Sequence, residues 1–387
     1  MAVTPPVNER RNGLRLAANV AGGVVASLLV AQLVLHADTA AIGHAIGHAG
    51  PLVFAALLPF AAAMTIDAHG TSVLLRALGH PTTAWQMLPV RLASEALHIS
   101  IPAGVIASDA ATAALLDARY DVPLRDGLVA SIARRWLVMR AHTGYMVLGT
   151  ILGFATLAQL SRRLLGGPQL PWIVLASALV PLSLSALLGA SVLGRSRFAK
   201  LHAAMARIPW PRLTRWLETR QADAAATDGQ VVRMRAARGA TTMATLTFVV
   251  VWFFETLESA LILRIVGASV PLTAVFAIEA GMSLVRSAAV IAPSGLGVVD
   301  LGYASVLPLL GADSGAAPAF VLLKRAKEVV WVLAGYAVLA TLRARIDHTV
   351  TRRDPASLQG RGPWLPSSPT PVRRAAGRQA LRARVRT

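Results

Sequence analysis

Three stretches of this chain run without a charged residue for the length of a bilayer-crossing helix, and no other feature restricts its fold as severely. Leu16 to Leu35 is twenty residues, Trp172 to Leu193 is twenty-two and Thr143 to Leu160 is eighteen. About twenty residues of helix cross roughly 30 Å of hydrocarbon. Backbone amides in lipid have no water to bond to, so such segments must satisfy themselves as helices. A soluble domain could not hide this much apolar surface either, since 55% of the residues are hydrophobic and only 15% are charged. The expected class is an all-α integral membrane protein. Arg10, Arg11 and Arg15 precede the first run as they would in a secretory signal. That run is too long for a signal's apolar region and further spans follow, so it reads as an uncleaved first helix.

Hydropathy places about six transmembrane helices, at 14–35, 49–67, 128–160, 172–193, 241–263 and 318–342. An even number of crossings puts both termini on one side. The segment 194–240 carries ten Lys/Arg against three acids, and 343–387 carries eleven Arg against two acids. Basic excess marks cytoplasmic segments, so both termini are expected in the cytoplasm, the membrane being the bacterial inner membrane. The loop 36–50 has no Lys or Arg, as an external loop should, whereas Arg162 and Arg163 fall in a predicted external loop and oppose the scheme. The net charge of +19 therefore describes membrane topology and contact with anionic lipid headgroups, with no nucleic-acid partner implied. Trp210 and Trp216 among the arginines of 194–240 suit a helix lying on the membrane surface. The tail 344–387 reads as disordered and basic. With no cysteine, neither a disulfide nor a thiolate metal site can form.

Two apolar segments, 85–116 and 273–310, are interrupted in the middle by Pro, Gly and polar residues. Each reads as two half-helices meeting at a break, entering and leaving the membrane on one side. Laid over one another at an offset of 191, they align Pro102 with Pro293, Gly104 with Gly295 and Asp109 with Asp300. The same offset pairs Arg134 with Arg325, Gly144 with Gly335, Tyr145 with Tyr336 and, upstream, Asp67 with Glu258. Eleven of the forty-seven positions from 102 to 148 are identical, against about four expected by chance, which indicates an internal duplication. The repeats are 14–160 and 161–343, following a short cytoplasmic N-terminus at 1–13. Three crossings in each copy invert one against the other. In such inverted repeats the substrate site lies near the midplane, where the broken helices of the two halves meet.

The candidate site follows from charges at membrane depth, which are expensive and persist where they pair or face a cavity. Arg91, Glu95 and His98 share one helical face before the first break, and Glu279 and Arg286 share one before the second. Arg134 and Arg325 occupy the duplicated position at the start of each half's last span, beside Arg135 in one copy and Lys324, Lys327 and Glu328 in the other. Arginine grips phosphate with two parallel hydrogen bonds, so Arg91, Arg134, Arg286 and Arg325 are the candidate headgroup contacts. Glu95, Asp109, Glu258, Glu279 and Asp300 are candidates for charge pairing or relay. The breaks, Pro102 and Gly104 in one copy and Pro293, Gly295 and Gly297 in the other, would leave half-helix ends whose free N–H groups suit an anion. Asp109 and Asp300 either titrate with transport or complement the dipole of the next half-helix. Glu255 and Glu258 close the fifth span, where an acid at the interface is the plainer reading. Throughout, the bland alternative is ion pairs that hold helices together.

Three other signals carry little. Gly295-Leu-Gly297-Val-Val-Asp300 brushes a dinucleotide fingerprint but follows no strand. His44 and His48, near Asp38, have helical spacing but sit in a short Gly-rich loop, so no metal is expected. Ser294 lacks the Gly-x-Ser-x-Gly context of a nucleophile.

Arg286, the run Ala292-Pro293-Ser294-Gly295-Leu296-Gly297-Val298-Val299-Asp300 and the basic start at Lys324 and Arg325 resemble the flippase-like transmembrane family. That family includes the membrane region of lysylphosphatidylglycerol synthase and proteins of hopanoid and glycolipid pathways. The stretch from Arg91 to Asp109 resembles its earlier block, and the likeness covers roughly residues 10–343. Ser294 and Asp300 depart from the family, in which Gly and Glu often stand there. The resemblance implies movement of an amphiphilic lipid between leaflets, and with the arginines above, the leading expectation is a lipid translocase whose cavity takes up an anionic headgroup. It implies no aminoacyl transfer, because the tail after 343 offers no counterpart of a soluble synthase domain, and no cofactor. The rival readings are an intramembrane enzyme acting on a lipid phosphate or glycolipid, and a non-catalytic partner of a lipid-modifying enzyme. A second copy of the chain is a further candidate partner. No Walker motif is present, so this chain is not expected to hydrolyse ATP.

Overall fold

The computed structural model describes residues 47, 50–100, 104–191, 229–234, 236–288, 297–313 and 315–352. Among these every regular element is helical. The chain divides into two units, 1–342 and 343–387. The predicted first span at 14–35, most of the basic segment 194–240, and Pro102, Pro293 and Gly295 lie outside the described residues.

A 3-10 segment, Gly50–Leu57, leads into α1 (Leu58–Ala77), which has a proline in its first turn where no amide partner is missed. The pair α2 (Ala84–Ser100) and α3 (Gly104–Tyr120) follows, then the 29-residue α4 (Leu124–Leu152). At Gly153 the chain bends by 78° into α5 (Phe154–Leu165). Next come α6 (Leu170–Ser177) and α7 (Leu179–Ser191), which together form one apolar stretch. After the basic segment, α8 (Arg238–Ile265) precedes the pair α9 (Leu272–Ala288) and α10 (Val298–Val306), and α11 (Ala316–Arg352) ends the described chain. The last residues of α11, from Arg343, belong to the second unit.

Three stretches are long and apolar enough to cross a membrane: Gly50–Ala77, Leu170–Gly189 and Arg238–Ile265. The bent pair of α4 and α5 makes a fourth if counted as one span. The chain is thus an all-helical membrane protein. One boundary needs correcting: the helix predicted over 128–160 does not run straight, but turns at Gly153. Arg162 and Arg163 lie on the short bent helix α5, whose apolar face holds buried Leu157 and Leu160. Gly153 lets α9 approach closely at the turn, because a Cβ there would stand 2.7 Å from the backbone of Ala277.

Small residues let the helices close on α4 at both of its ends. A Cβ on Gly127 would meet Ala113 of α3 at 2.9 Å, and one on Gly149 would meet Ala280 of α9 at 3.4 Å. Twenty-two residues of helix separate these positions, about 33 Å. The pair α2/α3 therefore packs on the beginning of α4 and α9 on its end, a membrane's thickness apart. The last turns of the second pair stay at that end, since Arg163 of α5 donates to the carbonyl of Leu309. Between the two lies the middle of α4, from Arg135, which bonds Asp109, to His142, which bonds Ser283 at 3.1 Å.

Candidate functional site

The middle of α1 places Asp67 in the interior, 2% exposed. A carboxylate there must be paired, and two arginines pair it. Arg91 of α2 donates from Nε at 2.8 Å, while Arg134 of α4 donates from Nε at 3.0 Å and closes a second contact from its terminal nitrogen. Arg91 also reaches Glu95, one helical turn on, at 3.3 Å. One residue beyond Arg134, Arg135 turns to the neighbouring helix and holds both oxygens of Asp109, at 2.9 and 3.0 Å. Ser94 and Thr112 hydrogen-bond at 2.7 Å and lock α2 to α3 behind this cluster.

The second half assembles a comparable cluster with different pairings. Glu258 of α8 accepts from Lys327 of α11 at 2.6 Å. Arg325 of α11 reaches Asp300 of α10 at 2.8 Å and Glu328 at 2.5 Å. Asp300 also accepts the backbone N–H of Gly297 at 2.9 Å, closing the start of α10. Gly297 needs its glycine, since its φ is +80°. Arg286 of α9 bonds Glu255 of α8 at 2.6 Å and stands 3.5 Å from Glu279. The other oxygen of Glu279 collects Ser259 at 2.5 Å, Tyr303 at 2.8 Å and Lys324 at 3.3 Å.

These clusters face one cavity of about 380 Å³. Its wall takes Arg91, Arg134 and Arg135 from the first half and Arg286, Lys324, Arg325 and Lys327 from the second, with acids between them. Several cations lie over aromatic rings: Lys327 is 4.9 Å from Phe60, Lys324 is 4.9 Å from Tyr303 and Arg134 is 5.7 Å from Phe248. Such contacts are worth up to about 2 kcal/mol when desolvated, and they also leave a charged group open on its other side. Part of the wall is open, because Arg286 is 30% exposed and Glu255 28%. Helix glue alone would need no cavity, and buried pairs seldom add net stability over apolar packing.

The model of one protein family, the lysylphosphatidylglycerol synthase TM region, matches residues 19–335. The chain belongs to that family. No curated protein and no solved structure matches it. Membership in the lysylphosphatidylglycerol synthase TM family ties the charged cavity to membrane-lipid biology, without choosing between a translocase and an enzyme.

Of the residues singled out from the sequence, Arg91, Arg134, Arg286, Arg325, Glu95, Glu258 and Asp300 line the cavity. Asp109 and Glu279 stand behind the wall, each bonded to a cation that lines it. His98 lines it too. Gly104 sits where α3 begins, and a Cβ there would lie 2.2 Å from the carbonyl oxygen of His98, so the backbones of α2 and α3 meet only around a glycine. Glu255 and Glu258 require a correction: they sit inside α8, seven and more residues before its end at Ile265, and face the cavity rather than an interface. Ser259, Tyr303 and the rings of Phe60 and Phe248 were not foreseen. For Tyr303 a signal existed, since it follows Asp300 by one helical turn and so shares its face. For the phenylalanines none did, because only tertiary packing brings them under a cation.

Proposed function

We propose that this protein is a lipid translocase of the bacterial inner membrane, which admits the headgroup of an anionic lipid to the cavity while its chains stay in the bilayer. The cavity carries the reading. It is large enough for about a dozen waters, by the volume water occupies in the liquid, and so for a phosphate headgroup without two acyl chains. Seven cationic side chains in its wall offer that phosphate its partners, of which Arg91, Arg134, Arg286 and Arg325 are the headgroup contacts.

An inverted repeat of 14–160 and 161–343 supports the same reading. At an offset of 191 the order of helices recurs, α1 to α4 corresponding to α8 to α11. The packing of α2/α3 and α9/α10 toward opposite ends of α4 suits two re-entrant pairs entering from opposite faces. In both halves the helix following the pair supplies the bases, to an acid on the helix preceding it and to the duplicated Asp109 or Asp300. Such a site, reachable alternately from each face, suits alternating access. Both termini are then cytoplasmic, and the basic segment 194–240 and the tail rest on anionic headgroups.

The test is leaflet accessibility of fluorescent phosphatidylglycerol, phosphatidylcholine and polyprenyl phosphate in proteoliposomes, for wild type and Arg325→Ala. Headgroup-selective exchange that the variant loses is expected. Absence of exchange for every lipid, with chemical conversion of one of them, would replace the translocase by the enzyme.

A further inference from the structure

Among the described residues the ion pairs around the cavity do not balance. In the first half Arg91, Arg134 and Arg135 face Asp67, Glu95 and Asp109, three charges of each sign. In the second half four cations, Arg286, Lys324, Arg325 and Lys327, face five carboxylates, Glu255, Glu258, Glu279, Asp300 and Glu328. The broken stretches at 101–103 and 289–296 contain no charged residue that could correct this. With Asp109 and Glu279 counted from behind the wall, an anionic headgroup would thus enter a site that, among the described residues, already holds one surplus negative charge and no unpaired cation. In a site of low dielectric that is strongly unfavourable.

One carboxylate is placed to relieve it. Glu258 is sealed against Lys327, with side chains 4% and 6% exposed. Glu279 is 1% exposed and held by Ser259, Tyr303 and Lys324. Asp300 closes the start of α10. Glu328 can leave Arg325, but Arg325 would remain neutralised by Asp300 at 2.8 Å. Glu255 differs from all of these. It lines the cavity, its side chain is 28% exposed, and its partner Arg286 has only a loose second contact, 3.5 Å from a Glu279 already shared with Lys324. Losing Glu255 is what would turn Arg286 into an anion-binding cation.

We infer that the cavity takes up a proton together with an anionic headgroup: the headgroup's phosphate displaces Glu255 from Arg286, and the released carboxylate is protonated by a hydronium ion drawn from bulk solution. The inference rests on the reading of this cavity as a headgroup site. The step conserves charge, since one anion and one proton enter together and the wall keeps its original balance. Around Glu255 stand Arg286 and Glu279 of α9, Lys324 of α11, His142 and Tyr145 of α4, Tyr303 of α10 and, on its own helix, Glu258; Asp67 of α1 lines the same cavity. His142 is stacked on Trp252 at 4.1 Å between ring centres and bonded to Ser283, so it is the rival proton acceptor and the test must separate the two.

The test is titration calorimetry of purified full-length protein with short-chain, water-soluble phosphatidylglycerol in two buffers of different ionisation enthalpy. The difference in apparent heat counts protons taken up, and about one per lipid bound is expected by linkage. Glu255→Gln should bind the lipid at least as tightly with the uptake abolished, because glutamine imitates the protonated acid and leaves Arg286 available. His142→Gln should keep the uptake. Equal heats in both buffers, uptake that persists in Glu255→Gln, or no binding of the lipid would each overturn the inference. The translocase reading is judged separately by leaflet exchange: exchange without proton uptake sinks only the inference, and proton-linked binding without exchange sinks only the translocase.

Discussion

Replacing Asp67 with asparagine keeps the size and shape of the side chain and removes one charge between two arginines. Asp67 and Arg91 are nearly sealed, with side chains 3% and 4% exposed, and Arg134 is 15% exposed. At an effective dielectric constant of about 20, each guanidinium at about 3 Å is attracted by roughly 5 kcal/mol before desolvation is charged against it. Desolvation and the mutual repulsion of the two arginines remove much of that. What remains is the cost of stranding buried charge, which runs to about 3–5 kcal/mol when one partner of a buried pair is deleted. Glu95 still meets Arg91 at 3.3 Å, so the lower end of that range is expected for Asp67→Asn. The assay is equilibrium unfolding in mixed micelles with increasing denaturing detergent, followed by helical circular dichroism. A second substitution sharpens it. Asp67→Asn combined with Arg134→Met removes the stranded charge as well as its partner, and should be less destabilised than Asp67→Asn alone. A loss below about 1 kcal/mol for the single variant, or an additive loss in the double variant, would refute the view that this cluster stands on charge compensation.

Three further expectations come from individual contacts. The glycines that the offset of 191 pairs should diverge: a Cβ on Gly335 would stand 2.5 Å from the carbonyl oxygen of Leu92 and 2.6 Å from the Cβ of Ala96, whereas one on Gly144 meets nothing within 4 Å. Gly335→Ala should therefore cost about 1–3 kcal/mol and Gly144→Ala should be close to neutral or better, read from melting curves by size-exclusion chromatography. Lys327→Met leaves Glu258 buried without a partner and should lose about 3–5 kcal/mol, while Lys327→Met with Glu258→Leu should recover most of it in the same melting assay. Because the chain has no cysteine, single cysteines report topology without background: Gly167→Cys, beyond α5, should react with an impermeant thiol reagent in intact cells, and Asp117→Cys, near the end of α3, only after permeabilisation. The reverse pattern would invert the assigned orientation.

What could be read from the sequence was whatever local chemistry expresses. The uncharged run from Trp172 announced a membrane helix because the bilayer leaves few alternatives, whereas the run from Thr143 turns at Gly153. Arg91 and Glu95 were legible as a pair because four residues return a helix to the same face, and the structure joins them at 3.3 Å. Partners across helices were hidden. The offset of 191 sets Asp67 opposite Glu258 and Arg134 opposite Arg325, which suggests that each acid meets the base of its own copy. Asp67 does meet Arg134, but Glu258 meets Lys327, two residues along, and Arg325 is left to Asp300, the equivalent of Asp109, which meets Arg135. A shift of one or two residues moves a side chain by roughly 100° or 200° around a helix, so the halves retain the same helices and the same signs of charge with their pairings exchanged. The exchange has a consequence for the cavity. In the first half three acids and three bases close on one another, whereas in the second the extra carboxylates Glu255 and Glu279, which align with Met64 and Leu88, put two acids around Arg286. Arg286, set between two acids, is thereby the arginine that, on the proposed reading, a headgroup would take from its partner.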